Sequence, residues 1–471
     1  MNPALAPAPS EQVALAFDSR LVRKYDGHGP RYTSYPTADR FDTGFGAADY
    51  VAAIQTRNAC SASRPLSLYV HLPFCNTICY YCACNKIVTR NRAHAARYLD
   101  HLEREIAQVA SLVEGEPRVT QLHWGGGTPT FLAHDEMRRL MEALRRPFAF
   151  DHDAEISIEV DPRKVEHGTV AFLADLGFNR MSIGVQDFDP VVQIAVNRVQ
   201  SEAQTRSVID EARAARFGSI NIDLIYGLPR QTVAGFATTL DKVIAAAPDR
   251  IALYSYAHVP QLFKSQRRIA AADLPAPEAK LDILAHAIAR LTAAGYVYIG
   301  MDHFARPDDE LAVAQREHRL HRNFQGYSTR AECDLLGFGV SAIGKVGDAY
   351  VQNVKTLDAY YERVAASALP VLRGRTLDRE DLLRRDVIQR LMCDFALRFA
   401  DVERAHAVRF AEHFEAELAA LRSLADDGIV EIDRDSLVVT PVGRLLVRVV
   451  AMVFDAYLPE HRQAPRYSRV V

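Results

Sequence analysis

Short runs of apolar and β-branched residues recur along the first two thirds of the chain, and each is followed by a segment with the apolar spacing of a helix. The runs are "LSLYVHLPF" (66–74), "VTQLHWGGG" (119–127), "ISIEVDP" (156–162), "RMSIGVQ" (180–186), "SINIDLIYGLP" (219–229), "RIALYSYAHVP" (250–260) and "YVYIGMDHFA" (296–305). Strands that alternate with helices predict a parallel α/β sheet. Six or seven such units predict a barrel or an incomplete one.

From about residue 354 the pattern becomes mainly helical. The segment "LLRRDVIQRLMCDF" places an apolar residue at every fourth position, which predicts a helix with one buried face. Those positions are Leu383, Val387, Leu391 and Phe395. The stretch "LADDGIVEIDRDSLVVTPVGRLLVR" then predicts a helix that ends near Gly428, a hairpin around Arg434 and Asp435, and a final helix. This order is typical of a winged-helix unit, but its mixed charges, without a basic stripe, favour packing on the barrel over DNA binding.

These patterns divide the chain into four predicted segments. Residues 1–16 are rich in Ala and Pro and predict a disordered leader. Residues 17–60 are predicted to form an N-terminal extension, residues 61–353 the barrel, and residues 354–471 the C-terminal helical domain.

Composition and charge restrict the function classes. The 471-residue chain has a net charge of −3, which gives no general attraction to nucleic acid or to an anionic membrane. No window approaches the roughly 18 apolar residues of a membrane span, and the N-terminus lacks an export signal. We therefore predict a cytoplasmic protein with neither a nucleic-acid nor a membrane partner. The seven cysteines, an odd number, favour metal or redox chemistry over a disulfide framework, and Cys60, Cys333 and Cys393 are predicted to be buried apolar residues.

Residue types that bind ligands or react follow most of the predicted strands. They are His71 and the cysteines after it, Gly125, Gly126, Gly127, Glu159, Asp161, Gln186, Asp223, His258, Asp302 and His303. Ligands of parallel sheets bind beyond the carboxyl ends of the strands, so we expect these residues to lie at one site. This arrangement predicts an enzyme.

Four cysteines stand close together in "VHLPFCNTICYYCACNK" (70–86), namely Cys75, Cys79, Cys82 and Cys84. A disulfide interpretation does not fit a cytoplasmic protein. A zinc ribbon normally requires a second, separated cysteine pair, and the sequence offers no such pair elsewhere. Zinc is therefore disfavoured. Iron-sulfur clusters take thiolates that lie close together on one loop, and three from so short a loop would leave a fourth iron open to a small ligand.

The spacing Cys-x3-Cys-x2-Cys, with Tyr81 directly before the third cysteine, resembles the radical S-adenosylmethionine (SAM) enzymes. The resemblance implies that Cys75, Cys79 and Cys82 hold one 4Fe-4S cluster and that SAM chelates its fourth iron. A fourth protein ligand at Cys84 would block that position, so Cys84 is not assigned as a ligand.

Further blocks, from about residue 20 onward, resemble the oxygen-independent coproporphyrinogen III oxidase family, whose members are also called dehydrogenases. The blocks are "RYTSYPTADRF", "HLPFCNTICYYCACNKIVTR", "LHWGGGTPTFL", "IEVDPR", "SIGVQDF", "VNRVQ", "NIDLIYGLP", "YSYAHVP", "GMDHFARPDDELAVAQ" and "HRNFQGYST". Related haem chaperones share the three cysteines but typically carry a phenylalanine-like residue in place of Cys84 and lack "RYTSYPT". The resemblance therefore favours the enzyme, with a haem-binding chaperone as the alternative.

The family resemblance implies a fold and a reaction. The fold is an incomplete (β/α)6 barrel with an N-terminal extension and a C-terminal helical domain. The reduced cluster would cleave SAM, and the resulting 5′-deoxyadenosyl radical would remove a hydrogen from the β-carbon of a propionate of coproporphyrinogen III. Loss of carbon dioxide and an electron leaves a vinyl group, and a second such reaction gives protoporphyrinogen IX in haem biosynthesis. A monomer and an electron donor such as flavodoxin are also implied.

The same resemblance implies two SAM molecules per chain. The residues implied for the cluster-bound SAM are Tyr69, Tyr81, Gly125, Glu159 and Ile343. Those implied for the second SAM are Gly126, Gly127, Gln186, Arg198, Asp223 and Ala257. Each position also has an ordinary structural interpretation: the glycines as a turn, the acidic residues as helix caps or ion-pair partners, and Arg198 as a solvated surface residue.

The substrate carries four propionates, whereas the chain is acidic overall, so local cations are required. We hypothesise that the N-terminal extension covers the barrel mouth and pairs with propionates through Arg23, Lys24 and Arg31, aided by Tyr32 and Tyr35. The basis is a basic, Tyr-rich stretch with no helix or strand period.

Overall fold

The computed structural model describes residues 15–60, 64–330, 333–458 and 469–470. Most of the predicted leader, residues 1–14, lies outside the described residues. The helices are α1 (Ser19–Tyr25), α2 (Ala47–Ala59), α3 (Ala93–Ala110), α4 (His134–Arg145), α5 (Thr169–Asp175), α6 (Pro190–Ala195), α7 (Glu202–Ala214), α8 (Val233–Ala246), α9 (Pro277–Ala293), α10 (Glu310–Arg316), α11 (Leu357–Ala365), α12 (Arg379–Asp394), α13 (Phe399–His406), α14 (Phe410–His413), α15 (Glu415–Asp426) and α16 (Val447–Val453).

Each predicted apolar run contains at least one strand, and further strands lie outside these runs. They are β1 (Leu66–Leu72), β2 (Phe74–Cys75), β3 (Ile87–Val88), β4 (Arg118–Gly126), β5 (Ala149–Val160), β6 (Arg180–Gln186), β7 (Ser219–Tyr226), β8 (Arg250–Ser255), β9 (Val297–Gly300), β10 (His303–Ala305), β11 (His321–Asn323), β12 (Gly326–Ser328), β13 (Asp334–Phe338), β14 (Ile343–Val346), β15 (Ala349–Asn353), β16 (Val371–Thr376), β17 (Ala396–Arg398), β18 (Val430–Ile432) and β19 (Ser436–Val439).

Two compact units are formed by the chain, and the larger comprises the described residues of Arg40–Ala287 and Glu332–Leu377. Its strands β1, β4, β5, β6, β7 and β8 are neighbours in that order and pair in parallel. Helices α3 to α8 lie in the connections between them. This confirms the predicted incomplete (β/α)6 barrel. Strand β1 is buried along nearly its whole length, as expected for a parallel strand that is covered on both faces.

The edge of this sheet at β1 is extended by strands that the sequence pattern did not indicate. Strand β13 pairs in parallel with β1, and β14, β15 and β16 continue as an antiparallel meander. This meander carries Ile343 at the start of β14.

The second unit comprises the described residues of Met1–Asp39, Ile288–Ala331 and Asp378–Val471. The prediction of a seventh parallel strand at 296–305 is wrong, because this run forms the antiparallel pair β9 and β10. The chain reverses where Gly300 has a φ of 144° and Met301 a φ of 52°. The left-handed region favours glycine and is compatible with a tight reversal.

The predicted helix ending near Gly428, the hairpin and the final helix of the C-terminal region are confirmed. Helix α15 ends at Asp426, Gly428 follows in the left-handed region, and β18 and β19 form the hairpin before α16. Strand β17 pairs with β19, which completes a three-stranded antiparallel sheet. The predicted apolar face of α12 is buried, including Phe395, which caps the helix at its C-terminus.

The two units cut across the predicted segments, because residues up to Asp39 belong with the C-terminal residues and Arg40 onward belongs with the barrel strands. Cys393 is buried, as predicted, whereas Cys333 is only partly buried. The prediction for Cys60 is wrong: it is exposed, because it caps the C-terminal end of α2 at the surface.

Candidate active site

The cysteine loop, residues 75–86, follows β1 in the larger unit and is fixed by hydrogen bonds with two other segments. Cys75 ends β2, and the other three cysteines lie between β2 and β3. The Tyr80 amide donates to the Val196 carbonyl at 2.9 Å, and the Asn197 side chain donates to the Ile78 carbonyl at 2.7 Å. On the other side, the Ser265 hydroxyl donates to the Cys82 carbonyl at 2.8 Å, and the Gln266 side chain donates to the Tyr81 carbonyl at 2.9 Å. The loop backbone is therefore held in place by the protein itself.

Hydrogen-bond donors face the sulfur atoms of this loop. Thr128 Oγ1 lies 3.6 Å from Cys75 Sγ. Arg163 Nη2 and Arg198 Nη1 lie 3.5 and 3.6 Å from Cys79 Sγ. Donors and cations around thiolate sulfur stabilise an iron-sulfur cluster and tune its potential.

Cys84 has a contact of its own in the loop. Its hydrogen bond to Cys82 is the largest influence on the pKa of Cys82. Together with the charge of Lys86, this bond outweighs the effect of burial and lowers that pKa to about 6. The Cys84 side chain thus favours the thiolate form of Cys82.

No group of three or more His, Cys, Asp or Glu side chains in the described part of the chain surrounds a point where a single metal ion would bind. A four-iron cluster has a different requirement, since each thiolate binds a different iron. Three free cysteines on an anchored loop, with donors at their sulfur atoms, fit such a cluster.

The sheet register brings the other predicted residues to the same end of the strands. Tyr69 on β1 lies opposite His123 on β4, and Gly184 on β6 lies opposite Asp223 on β7. The Tyr69 and His123 rings are stacked with their centroids 5.9 Å apart. Aligned strand ends explain why residues far apart in sequence belong to one site.

Gly126 and Gly127 occupy positions where a side chain does not fit. Gly126 has a φ of 113°, and a Cβ there would lie 2.6 Å from the His71 ring. A Cβ on Gly127 would lie 2.7 Å from the carbonyl oxygens of Pro73 and Phe74. Only glycine lets the backbone pass so close to the start of the cysteine loop.

Glu159, at the end of β5, faces these glycines. Its Oε2 accepts from the Gly126 amide at 3.1 Å, and its Oε1 lies 3.4 Å from His123 Nε2. Burial raises the pKa of Glu159, but the contacts with His123, the Gly126 amide and His71 together outweigh this and lower the pKa below its usual value. The carboxylate is therefore ionised at neutral pH and can accept from a ligand hydroxyl or ammonium.

Asp161 is a site residue to which the sequence analysis assigned no role. Both its oxygens face Arg198, at 3.3 and 3.4 Å from the guanidinium nitrogens, and Arg163 bonds the same carboxylate at 2.6 Å. Burial alone would raise the pKa of Asp161, but the two arginines outweigh this effect and lower the pKa. The signal was present in "IEVDPR", where an arginine follows a strand-end aspartate by two residues.

Arg198 is buried, so its interpretation as a solvated surface residue is wrong. Its guanidinium also donates to the Gly184 carbonyl at 2.5 Å, while its Nε has no hydrogen-bond partner. The Gln186 Oε1 and Asn221 Oδ1 are likewise buried without a partner. Unpaired buried polar atoms are costly, so three of them, at the end of β6, within β7 and on the loop after α6, fit a polar ligand there.

Asp223 lies between these groups. It accepts from Ser182 Oγ at 2.9 Å and from the Asn221 side chain at 2.8 Å. Burial and the Glu159 carboxylate raise the pKa of Asp223 to about 6. The carbonyl of Ala257, another predicted site residue, accepts a hydrogen bond from the Gln266 side chain at 3.2 Å.

The predicted substrate residues lie in the other unit. Arg23 is exposed in the last turn of α1, and Lys24 pairs with Asp427. Arg31 pairs with Asp302. Tyr32 is fully buried and donates to Asp455 at 2.9 Å. The ion pairs and this hydrogen bond give the segment structural contacts that the sequence analysis did not predict.

Comparison with known proteins agrees with this architecture. The model of the radical SAM superfamily matches residues 69–243, and that of the HemN C-terminal domain matches residues 377–446. The chain is 52% identical to the oxygen-independent coproporphyrinogen III oxidase of Escherichia coli, over 97% of this chain and 99% of the relative. The chain belongs to the oxygen-independent coproporphyrinogen III oxidase family. The relative from Pseudomonas aeruginosa is 49% identical over 97% of this chain and 99% of its own length.

A solved member of this family has the same fold. The coproporphyrinogen III oxidase (HemN) from Escherichia coli, described as a radical SAM enzyme, superposes with a TM-score of 0.90 at 51% identity, over 95% of this chain and 100% of that chain. As a family member the chain uses a 4Fe-4S cluster and SAM, which agrees with the cysteine loop and the strand-end residues. These relatives are named as the oxidase, which favours the enzyme over the haem chaperone. No helix in the described residues is long and apolar enough to cross a bilayer.

Proposed function

We propose that this chain converts two propionates of coproporphyrinogen III into vinyl groups without oxygen and so forms protoporphyrinogen IX. The observation that carries the proposal is 52% identity to an enzyme of that name along 97% of the chain, together with the anchored cysteine loop. The cluster, when bound, supplies one electron that cleaves SAM and starts hydrogen removal from the substrate.

The protein's own residues would bind and orient the reactants. Cys75, Cys79 and Cys82 would hold the cluster, and Gly125 and the adjacent amides would approach the SAM methionyl group. Glu159, ionised and half-buried, would accept from SAM hydroxyls or its ammonium. Tyr69, Tyr81 and Ile343 complete the proposed first SAM site, with the stacked Tyr69 and His123 rings as a rigid wall.

A second SAM is proposed at Gly126, Gly127, Gln186, Arg198, Asp223 and Ala257. The unpaired atoms of Gln186 and Arg198 support a polar ligand at this place. Equilibrium dialysis of the cluster-loaded protein with labelled SAM should give two molecules per chain. The variant G127V, whose side chain would meet the Pro73 carbonyl, should reduce this number. One molecule per wild-type chain would refute the second site.

For the propionates we propose Arg31, with Arg23, Lys24 and Tyr32 in the same segment. The variant R31A should raise the KM for the substrate about tenfold, the effect of losing one charge-assisted hydrogen bond. Cluster content and substrate-free SAM cleavage should stay unchanged. D302N is the matched control, because it removes the ion-pair partner of Arg31 but keeps the cation. An unchanged KM in R31A would refute this role.

A small protein such as flavodoxin is proposed as electron donor, and the chain is proposed to be a monomer in the cytoplasm. The direct test of function is an anaerobic assay with loaded cluster, SAM, dithionite and coproporphyrinogen III. The product should be protoporphyrinogen IX, identified by chromatography and mass after oxidation to the porphyrin. A loaded protein that binds haem and forms no product would falsify the enzyme in favour of the chaperone. SAM cleavage without vinyl groups would indicate a different substrate.

A further inference from the structure

Five large hydrophobic side chains are exposed in the described residues, and all of them lie on segments that contact the cysteine loop. They are Val88, Val191, Ile194, Val199 and Leu262. Val88 pairs with Cys75 in the β2–β3 ladder. Ile194 and Leu262 are the most exposed, at 68% and 67%. Such clustering near one functional loop marks an interaction surface, since isolated exposed apolar residues would be scattered.

Four of these residues share one support. Val192 and Val196, on the inner side of the segment around α6, pack with Ile269 and with Tyr80 and Tyr81 of the cysteine loop. The same buried cluster therefore underlies the exposed residues of both segments. These are Val191, Ile194 and Val199 around α6, and Leu262 before the turn Lys264–Arg268. A molecule that docks there lies directly against the cysteine loop.

Basic residues border the apolar ones. Lys264, Arg267 and Arg268 are exposed, and the Arg268 guanidinium lies 5.3 Å from the centre of the Tyr80 ring. The carboxylate on the following turn, Asp273, is paired with a different arginine: its Oδ1 lies 3.5 Å from Arg230 Nε. The chain as a whole has a net charge of −3, so this concentration of cations is local. We call Val191, Ile194, Val199, Leu262, Lys264, Arg267 and Arg268 the cysteine-loop patch.

We propose that the cysteine-loop patch docks an acidic protein that carries one electron to the cluster. The proposal rests on the proposed function, which consumes one electron for each SAM cleaved. In the docked complex the donor is oxidised by one electron and the cluster is reduced by one. Acidic side chains of the donor would pair with Lys264, Arg267 and Arg268, while its apolar centre would cover Ile194 and Leu262. Charge complementarity of this kind steers association and makes it sensitive to salt.

The test compares a protein donor with a small reductant that needs no docking surface. Reduced flavodoxin and dithionite would each drive the cluster-loaded full-length chain, with SAM cleavage as the readout. Variants I194D and K264E should raise the KM for flavodoxin about tenfold. I194D places a charge in the apolar centre of the interface, and K264E replaces a cation with a carboxylate that repels the acidic donor. With dithionite both variants should match the wild type. R404E is the control, since it reverses the charge of an exposed arginine outside the patch.

Direct binding gives a second readout that is independent of turnover. The affinity of labelled flavodoxin for the cluster-loaded chain, measured by anisotropy, should fall in I194D and K264E and stay constant in R404E. Equal loss of SAM cleavage with both reductants would overturn the proposal and assign the patch to cluster stability or to substrate. Unchanged flavodoxin affinity in both variants would also overturn it. Because SAM cleavage is measured, this result is separate from whether the product is protoporphyrinogen IX.

Discussion

At the scale of single residues, Asp161 links the groups around Cys79. It bonds both Arg198 and Arg163, and both arginines reach the Cys79 sulfur. A carboxylate that binds a guanidinium fixes the direction of its charge and of its N–H donors, here toward the Cys79 sulfur. Asp161 therefore positions two cations at the Cys79 sulfur.

Removing the charge of Asp161 tests this role. D161N should weaken SAM binding to the loaded protein about tenfold or more, because outer contacts that orient ligand-binding groups typically contribute that much. Calorimetry with SAM measures the effect, and iron content shows whether the cluster is kept. D273N, which removes the charge from a carboxylate paired with Arg230, is the matched control. Equal SAM affinity in D161N and wild type would refute the role.

The cysteine quartet gives a second prediction at this scale. C79S should lower the iron content of the reconstituted protein more than about tenfold, because it removes a ligand. C84S should keep most of the iron, because Cys84 is proposed to support the Cys82 thiolate by a hydrogen bond and not to bind iron. Iron and sulfide analysis of both variants decides the assignment. Loss of the cluster in C84S would mean that Cys84 is a ligand.

At the scale of elements, helix α3 fixes the loop between β13 and β14 through a buried carboxylate. Glu105 accepts from the Gly339 amide at 2.7 Å, the Asn353 side chain at 2.6 Å and the Tyr360 hydroxyl at 2.5 Å. Tyr98, on the same helix, accepts from the Val340 amide at 3.0 Å and donates to the His71 carbonyl at 2.7 Å. The helix thus connects the loop before Ile343 with the strand that leads to the cysteines.

This network predicts a pH dependence of stability. Burial raises the pKa of Glu105 to about 7 from 4.5. Because the folded pKa is the higher one, the contribution is complete below pH 4.5 and is lost as the pH rises through about 7. The difference, about 2.5 times 1.36 kcal/mol, amounts to about 3 kcal/mol of unfolding free energy. Denaturant unfolding should therefore show this slope in wild type.

The variant E105Q cannot titrate and should lose the slope, although its mean stability should fall because an amide N–H then faces a donor. E103Q, on the same helix with an ion pair to Arg139, should keep the slope. The same pH dependence in E105Q and wild type would show that another group is responsible.

At the scale of the whole molecule, the sequence predicted the six parallel strands and the cysteine loop, because apolar runs and residue spacing are local signals. It did not predict the Glu105 contacts, whose partners lie 234 and 255 residues away in the chain. It also assigned the run at 296–305 to a parallel strand, since the reversal at Gly300 changes strand direction without changing the apolar pattern. Composition gave no signal that residues before Asp39 belong with the C-terminal unit.

The most direct test of the proposed activity follows one hydrogen atom. Coproporphyrinogen III deuterated at the propionate β-carbons would be incubated anaerobically with the loaded protein, SAM and dithionite. We predict that the 5′-deoxyadenosine released from SAM carries deuterium in proportion to the vinyl groups formed. Unlabelled 5′-deoxyadenosine, with SAM cleaved and the propionates intact, would contradict it.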